Sequence, residues 1–378
     1  MLFLMLRYLI ILSAFIFTVS CSKEKNYSIT EISGKSVYQN KNIPSNEKLE
    51  VKFEKLFEIN NDSLKYPNDT GVNFPLYFQA DKSGEIFIFD NTDYRIKKYD
   101  NEGKFLLAFG AKGQGPGEYL TPSEIFLLEN AVLVNDFRQK SLVVYDRKGK
   151  FVEKKLINKT FTSIAPSSEN RYLCSSMYSD NFENKFSMIT VLGIYDQSFN
   201  LVSEIKKSIY PIIENEVFNP VNYFFCSTIH KNRIFLSTSG TNDYAIEIFD
   251  MEGNNIEKIV KNYFRHEMTH EDFTRERNFL NSFSSIDVSE GIIKHKNAIS
   301  GIVSLNDQYL LVSTPKDTND PEGIKYDIFK DNIFQKSVFL KIPVESELLP
   351  QIKIVGNRLY TIDRENNSLV VYKIEVSE

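Results

Sequence analysis

Apolar and polar residues alternate in short runs along most of this 378-residue chain, and turn-forming Asp, Asn and Gly cut the runs apart. Between Ser83 and Ile125 the runs are Ile86–Phe89, Ile96–Tyr99 and Phe105–Phe109, separated by Asp90-Asn91 and by Asn101-Glu102-Gly103. A period of two suits a strand with one face on a core, and a gap of a few turn residues suits an antiparallel hairpin. The segment reads as one small antiparallel sheet.

The unit repeats. The acidic residue closing its third strand, Asp100 in IKKYDNEGKF, has counterparts in Asp146 (LVVYDRKGKF), Asp196 (LGIYDQSFNL), Asp250 (IEIFDMEGNN) and Asp331 (DIFKDNIFQK), with Tyr372-Lys373 (LVVYKIEV) in the same place last. Successive spacings are 46, 50, 54, 81 and 42 residues. Second strands recur too: IFIFD ends at Asp90, VLVND at Asp136, RIFLST at Thr238, YLLVST at Thr314 and LYTID at Asp363. Sheets of this period stack face to face in a ring, because none can bury both faces alone. The long fourth interval predicts an insertion at about 261–298, a mixed loop and short helix covering one face.

Only Ile374–Glu378 follow the third strand of the sixth unit, while LEVKFEKLFEI (49–59) stands unassigned before the first. Pairing that run as the outer strand of the last blade closes the ring and removes two open sheet edges. The expected fold is all-β: a six-bladed β-propeller of four-stranded antiparallel blades over 49–378, its ring closed by an N-terminal strand.

Gly84–Phe89, Asp90, Asn91, Arg95-Ile96, Tyr99-Asp100, Gly103, Phe109-Gly110 and the turn Gly113-Gln114-Gly115-Pro116-Gly117-Glu118-Tyr119 resemble an NHL-type repeat. More narrowly, the chain is similar to the six-bladed propeller lipoproteins of the Bacteroidota, in which a GQGPGE(F/Y) loop joins blades. That loop is intact once here, and later blades depart from it. The resemblance spans roughly 49–378 and implies a fold and a location in the cell envelope more than an activity.

Thirty Phe and twenty Tyr with no Trp suit pleated, half-buried surfaces. The net charge is −5 and no basic stripe accompanies the aromatics, which counts against nucleic acid as a partner. Residues 1–20 carry Arg7, an apolar stretch from Tyr8 to Val19 and small Ser20 before Cys21. This is the layout of a lipoprotein signal peptide that leaves Cys21 as the lipidated first residue; the alternative is an uncleaved membrane anchor. Residues 21–48 read as the lipidated Cys and a flexible polar tether, spanning roughly 30 Å as a random coil. Cys174 and Cys226 fall in strands of neighbouring units and are expected as separate buried thiols.

Candidate chemistry is sparse. His266-Glu267-Met268-Thr269-His270 is a literal HExxH, which on a helix would place two imidazoles one turn apart to bind zinc, with Glu267 polarising a water. However, Thr269 followed by Asp272 and Phe273 reads as an N-cap opening a helix at about His270, which would leave His266 and Glu267 outside it. The glycines of 110–117 lack the ending of a phosphate-binding loop and suit the crossing between blades. Asp90, Asp136 and Asp363 end equivalent second strands, with Arg95, Arg138 and Arg364 after them. These six residues are candidates for holding a cation or sugar hydroxyls on one rim, or for closing their own turns.

The expected function is a lipid-anchored, extracytoplasmic binding or scaffold propeller, without a cofactor. It would be held to the membrane by lipid and would take an unidentified protein, small molecule or glycan on its loop-bearing face or in its channel. The alternatives are a hydrolase or lyase built in the channel, which would gather titratable residues of perturbed pKa near the axis, and a zinc peptidase through His266 and His270. Outer strands such as 150–156 and 254–260 interleave charge with apolar residues and are expected to keep their edges unpaired.

Overall fold

Each repeat unit folds as four antiparallel strands, and first strands of adjacent blades touch around a central axis at the junctions of blades 1 and 2, 2 and 3, 4 and 5, 5 and 6, and 6 and 1. The computed structural model describes residues 25–68, 70–168, 170–212, 225–238, 242–283, 294–317, 319–343 and 352–378. Blade 1 comprises Pro75–Ala80, Ile86–Asp90, Arg95–Tyr99 and Phe105–Phe109. Blade 2 comprises Pro122–Leu127, Ala131–Asp136, Ser141–Asp146 and Phe151–Leu156, and blade 3 Thr160–Ser168, Arg171–Phe182, Lys185–Asp196 and Leu201–Pro211. Blade 4 is built from Phe225–His230, Arg233–Thr238, Ala245–Phe249 and Asn255–Lys261, and blade 5 from Gly301–Leu305, Tyr309–Ser313, Ile324–Lys330 and Ile333–Leu340.

Blade 6 draws on both ends of the chain. Ile352–Val355, Arg358–Asp363 and Ser368–Ser377 come from the C-terminal end, and Glu50–Ile59 pairs antiparallel on their outside, from Leu369 opposite Ile59 to Ser377 opposite Glu50. The protein is therefore a six-bladed β-propeller whose ring is closed by Glu50–Ile59 from the N-terminal part of the chain.

Burial is distributed around the ring. Six apolar clusters form among the described residues, one at each junction of adjacent blades. Between blades 1 and 2, for example, Phe87, Phe89, Ile96 and Phe109 meet Ile125, Val132, Val143 and Tyr145. Both faces of a blade are thus covered, which explains why second strands such as Ile86–Asp90 are buried at every position.

The repeat markers are turn residues. Asp100 accepts from the backbone N–H groups of Glu102 (2.9 Å) and Lys104 (2.8 Å), and Asp146, Asp196 and Asp250 accept from the residues two and four on in the same way. The fourth turn position needs a positive φ, supplied by Gly in blades 1, 2 and 4 and by Phe199 (φ 63°) in blade 3. Phe199 is held there by stacking on Tyr172 at 5.4 Å. Blade 5 departs from the pattern: Asp331 and Asn332 (φ 50° and 66°) make a tight two-residue hairpin, and the Asp331 carboxylate pairs with Lys231 instead.

Two expectations are corrected. Within the span 21–48, expected as a flexible tether, Tyr27–Ile32 and Lys35–Asn40 form a hairpin. Its second strand runs parallel to Asn255–Lys261, extending blade 4 to six strands. The outer strand of blade 4 is therefore paired, in spite of its charges. The reason is a backbone edge that hydrogen-bonding strands satisfy whatever their side chains, together with Asn40, whose side chain accepts from Phe334 N–H (2.8 Å) and donates to the carbonyls of Asn332 and Val260.

Candidate functional site

The three second-strand aspartates end equivalent strands of blades 1, 2 and 6, and each accepts hydrogen bonds from its own blade or from the crossing into it. Asp90 is fully buried and accepts from the N–H groups of Asn73, Phe74 and Thr92 and from Lys97 Nζ at 2.9 Å. Burial alone would raise its pKa, but those hydrogen bonds and the Lys97 charge outweigh it and hold the carboxyl below its ordinary value. Asp136 accepts from Leu120 N–H, Thr121 N–H and Gln139, and half-buried Asp363 accepts from Asn366. Each carboxylate is spent on the turns of its own blade or on the crossing into it.

The arginines differ among themselves. Arg95 is exposed and donates to the Ala108 carbonyl of its own blade, and Arg138 is exposed on its turn. Arg364 crosses from blade 6 to the carbonyls of Pro75 and Leu76 in blade 1 and covers the Phe74 ring at 5.4 Å. It latches one blade to the next.

HEMTH does not lie on a helix as a unit. The helix His270–Phe283 begins at the last residue of the motif, after a reciprocal cap in which the Thr269 hydroxyl accepts from Asp272 N–H and the Asp272 carboxylate accepts from Thr269 N–H. Glu267 instead bridges His295 as an isolated β-pair, and His266 stands 3.6 Å from Asp317. The spacing that would set two imidazoles one turn apart is absent. Cys174 and Cys226 are free, and burial raises both thiol pKa values, that of Cys226 to about 12. Cys21 lies outside the described residues.

The GQGPGEY segment is a strut between blades 1 and 2. Ala111-Lys112 pairs with Glu118-Tyr119, the Glu118 carboxylate accepts from Gly115 N–H at 2.8 Å, and Tyr145 donates to the Gly117 carbonyl at 2.6 Å. Glycine at 113 leaves room for the Glu118 carboxylate, which a β-carbon there would displace.

A polar group not singled out by any motif gathers where the first strands of blades 6, 1 and 2 meet. Lys353, Gln79 and Glu124 come from three consecutive blades and line a cavity of about 130 Å³ with Tyr77 and Ile352. Lys353 donates to the Gln79 side-chain oxygen, and the Gln79 amide donates to the Ile125 carbonyl at 2.8 Å. Glu124 accepts from Ile125 N–H at 2.9 Å. Among the described residues no ion pair joins Glu124 to Lys353, yet they influence each other through space. Burial pushes the Glu124 carboxyl up to about 7 against the pull of Lys353, and burial pushes the Lys353 ammonium down to about 8 against the pull of Glu124. Burial, with Glu124 adding to it, also raises the Tyr77 phenol.

A larger cavity, about 320 Å³, lies between blades 4 and 5, but its charges neutralise one another. Lys231 pairs with Asp331 at 2.6 Å and Arg233 with Glu257 at 2.8 Å, while His230, whose pKa burial lowers, shares a hydrogen bond with Ser304. The group at blades 6, 1 and 2 retains two half-buried, opposite charges that no ion pair joins among the described residues. It is the stronger candidate site.

The comparisons with known proteins agree with this architecture. Residues 34–312 match the family DUF5128, described as a 6-bladed beta-propeller. The chain is similar to the crystal structure of a "Putative exported protein" from Bacteroides fragilis, with 12% identity, TM-score 0.51, and coverage of 90% of this chain and 100% of that one. It is also similar to a member of the DUF4221 family from Bacteroides vulgatus, with 11% identity, TM-score 0.51, and coverage of 87% and 99%. No curated protein matches the sequence.

Proposed function

We propose, from the premise that the chain belongs to the six-bladed β-propeller family DUF5128, that it is a lipid-anchored binding protein of the cell envelope whose ligand enters the channel at blades 6, 1 and 2. The lipid anchor rests on Arg7, the apolar stretch and small Ser20 that align on Cys21, and the NHL-like pattern of blade 1 fits this class of propeller. The description of the Bacteroides fragilis neighbour as a "Putative exported protein" agrees with an address outside the cytoplasm.

The observation that carries the binding site is the convergence of Glu124, Gln79 and Lys353 from three blades without a direct ion pair between the charges. A small polar ligand with an anionic or acceptor group for Lys353 and a donor for Glu124 would supply what the pair does not make. Tyr77 adds an aromatic wall, stacked on Phe89 with ring centroids 6.1 Å apart.

The test is thermal stabilisation of the mature protein by amino acids, dipeptides and short oligosaccharides at neutral pH. A ligand at a hundred times its Kd adds about 2.7 kcal/mol, a readable shift in the melt. Lys353→Met and Glu124→Gln should each weaken the active compound about tenfold or more, as loss of a charge-assisted hydrogen bond does. A compound that stabilises both variants as well as the wild type would show that the site is elsewhere.

A second reading draws on the same pair. A carboxyl titrating near neutrality beside a lysine of lowered pKa is the arrangement of a general acid and base, so a channel hydrolase is the alternative. Turnover of the bound compound, lost in Glu124→Gln with binding retained, would favour it.

A further inference from the structure

The docked hairpin changes how the protein meets its membrane. Its first strand starts at Tyr27, opposite Asn40, so the chain enters the fold at the end of blade 4 where the outer strand finishes at Lys261. Hydrogen bonds tie that end together: Lys41 N–H to the Asn26 carbonyl (2.8 Å), the Asn26 side chain to the Pro44 carbonyl (2.8 Å), and Asn262 N–H to the Asn40 carbonyl (3.0 Å).

Two apolar side chains stand in the open at this same end. Phe264 is 79% exposed, two residues beyond Asn262, and Ile43 is 50% exposed beside Pro44. Exposed Lys25, Lys48 and Arg265 flank them, and the nearby acids are Glu24 and Glu47 in sequence, Glu267, and Asp317 beside His266. An apolar tip bordered by cations suits the headgroup region of an anionic phospholipid bilayer, where the ring enters the acyl boundary and the charges stay with phosphate.

The length of chain between Cys21 and the described residues decides the occupant. Four residue steps separate Cys21 from Lys25, a reach of about 14 Å when fully extended. Resting on the lipid-anchor reading proposed above, we infer that Phe264 and Ile43 form a second, direct membrane contact, and that the propeller meets the bilayer by the rim of blade 4 at the Tyr27 and Asn40 end of the hairpin, with the turn end held away. A flexible tether of 27 residues would have imposed no orientation; a hairpin pinned five residues from the lipid does. In a ring of six, blade 4 stands across from blade 1, so this posture holds Gln79, Glu124 and Lys353 on the side remote from the rim contact.

The test uses the mature, membrane-reconstituted protein in a Cys226→Ser background, with an environment-sensitive fluorophore at Phe264→Cys or at Glu31→Cys. Glu31 lies at the opposite, turn end of the hairpin and is exposed. Vesicles contain phosphatidylethanolamine and phosphatidylglycerol with a doxyl-lipid quencher, and intact mass reports the lipid on Cys21. Diacylated protein with fluorescence lost at position 264 and retained at position 31 is the expected result. Diacylated protein with no quenching at 264, or equal quenching at both positions, would overturn the inference while leaving the anchor in place. Absence of the lipid mass would remove the anchor reading and the inference with it. A fluorescence shift at 264 that needs no vesicles and grows with protein concentration would assign the patch to a second copy of the chain and overturn the membrane contact.

Discussion

Deleting Glu50–Ile59 abolishes the cooperative unfolding transition of the whole propeller, whereas deleting the hairpin 27–40 leaves a folded ring. The closing strand contributes fully buried Ile59 to the junction of blades 6 and 1, with Phe57 packed against the same cluster, and Val51 and Phe53 to the junction of blades 5 and 6. Losing one buried aliphatic side chain costs about 2–5 kcal/mol, so losing several approaches the 5–15 kcal/mol that a domain has in total. The deletion also bares the long edge of Ser368–Ser377, a template for aggregation. The hairpin, by contrast, lies outside a complete four-stranded blade and buries chiefly Val37 and Asn40. Far-ultraviolet circular dichroism during a thermal melt distinguishes the two variants. A cooperative melt in the Glu50–Ile59 deletion would mean that the ring does not depend on its closure.

Lys97→Met destabilises the protein by about 3–5 kcal/mol in urea, the cost of leaving a buried carboxylate without its counter-charge. Lys97 is 1% exposed and bonds Asp90, the Gly71 carbonyl and Asp93, so one ammonium joins the second turn of blade 1 to the segment entering it. The pH dependence follows from the depressed Asp90 pKa. In the wild type this pair's stabilisation is present above the ordinary aspartate range and is lost as pH falls through the lower folded value. In Lys97→Met the carboxyl titrates higher, and acid should recover part of the lost stability. Asp90→Asn in the same background should recover part of it at neutral pH, since only the unpaired charge is removed. Equal stability of wild type and Lys97→Met at pH 7 would show that the buried pair is not what holds this turn.

The ring was legible because its markers are local. Asp100, Asp146, Asp196 and Asp250 each close a hairpin with their own carboxylate, so they recur with a spacing that backbone geometry dictates. Phe199 shows the limit of such signals, since it takes the turn position of glycine through contacts with Tyr172 and Phe161 that come from two other strands. The hairpin 27–40 was illegible for a related reason. Its side chains are mostly polar and half or fully exposed, and it is held largely by the backbone edge of a strand more than 200 residues away. The aspartate and arginine candidates fell on turns because turns are where these residue types stand out. The channel group hid inside ordinary strands: Gln79, Glu124 and Lys353 interrupt apolar runs, and only closure of the ring turns the three toward one another.

The most direct test of the site is the titration of the Glu124 carboxyl itself, read as the difference in protonated carboxylic-acid infrared absorbance between wild type and Glu124→Gln across pH 4 to 9. Its folded pKa is raised, so the protonated form should persist well above the ordinary glutamate range and disappear around pH 7, with the associated stability present at low pH and lost as pH rises through that value. Lys353→Met should move the midpoint higher still, because the lysine charge is what holds it down. A Glu124 midpoint near 4.5 that does not respond to Lys353→Met would contradict a charge-coupled site between blades 6, 1 and 2.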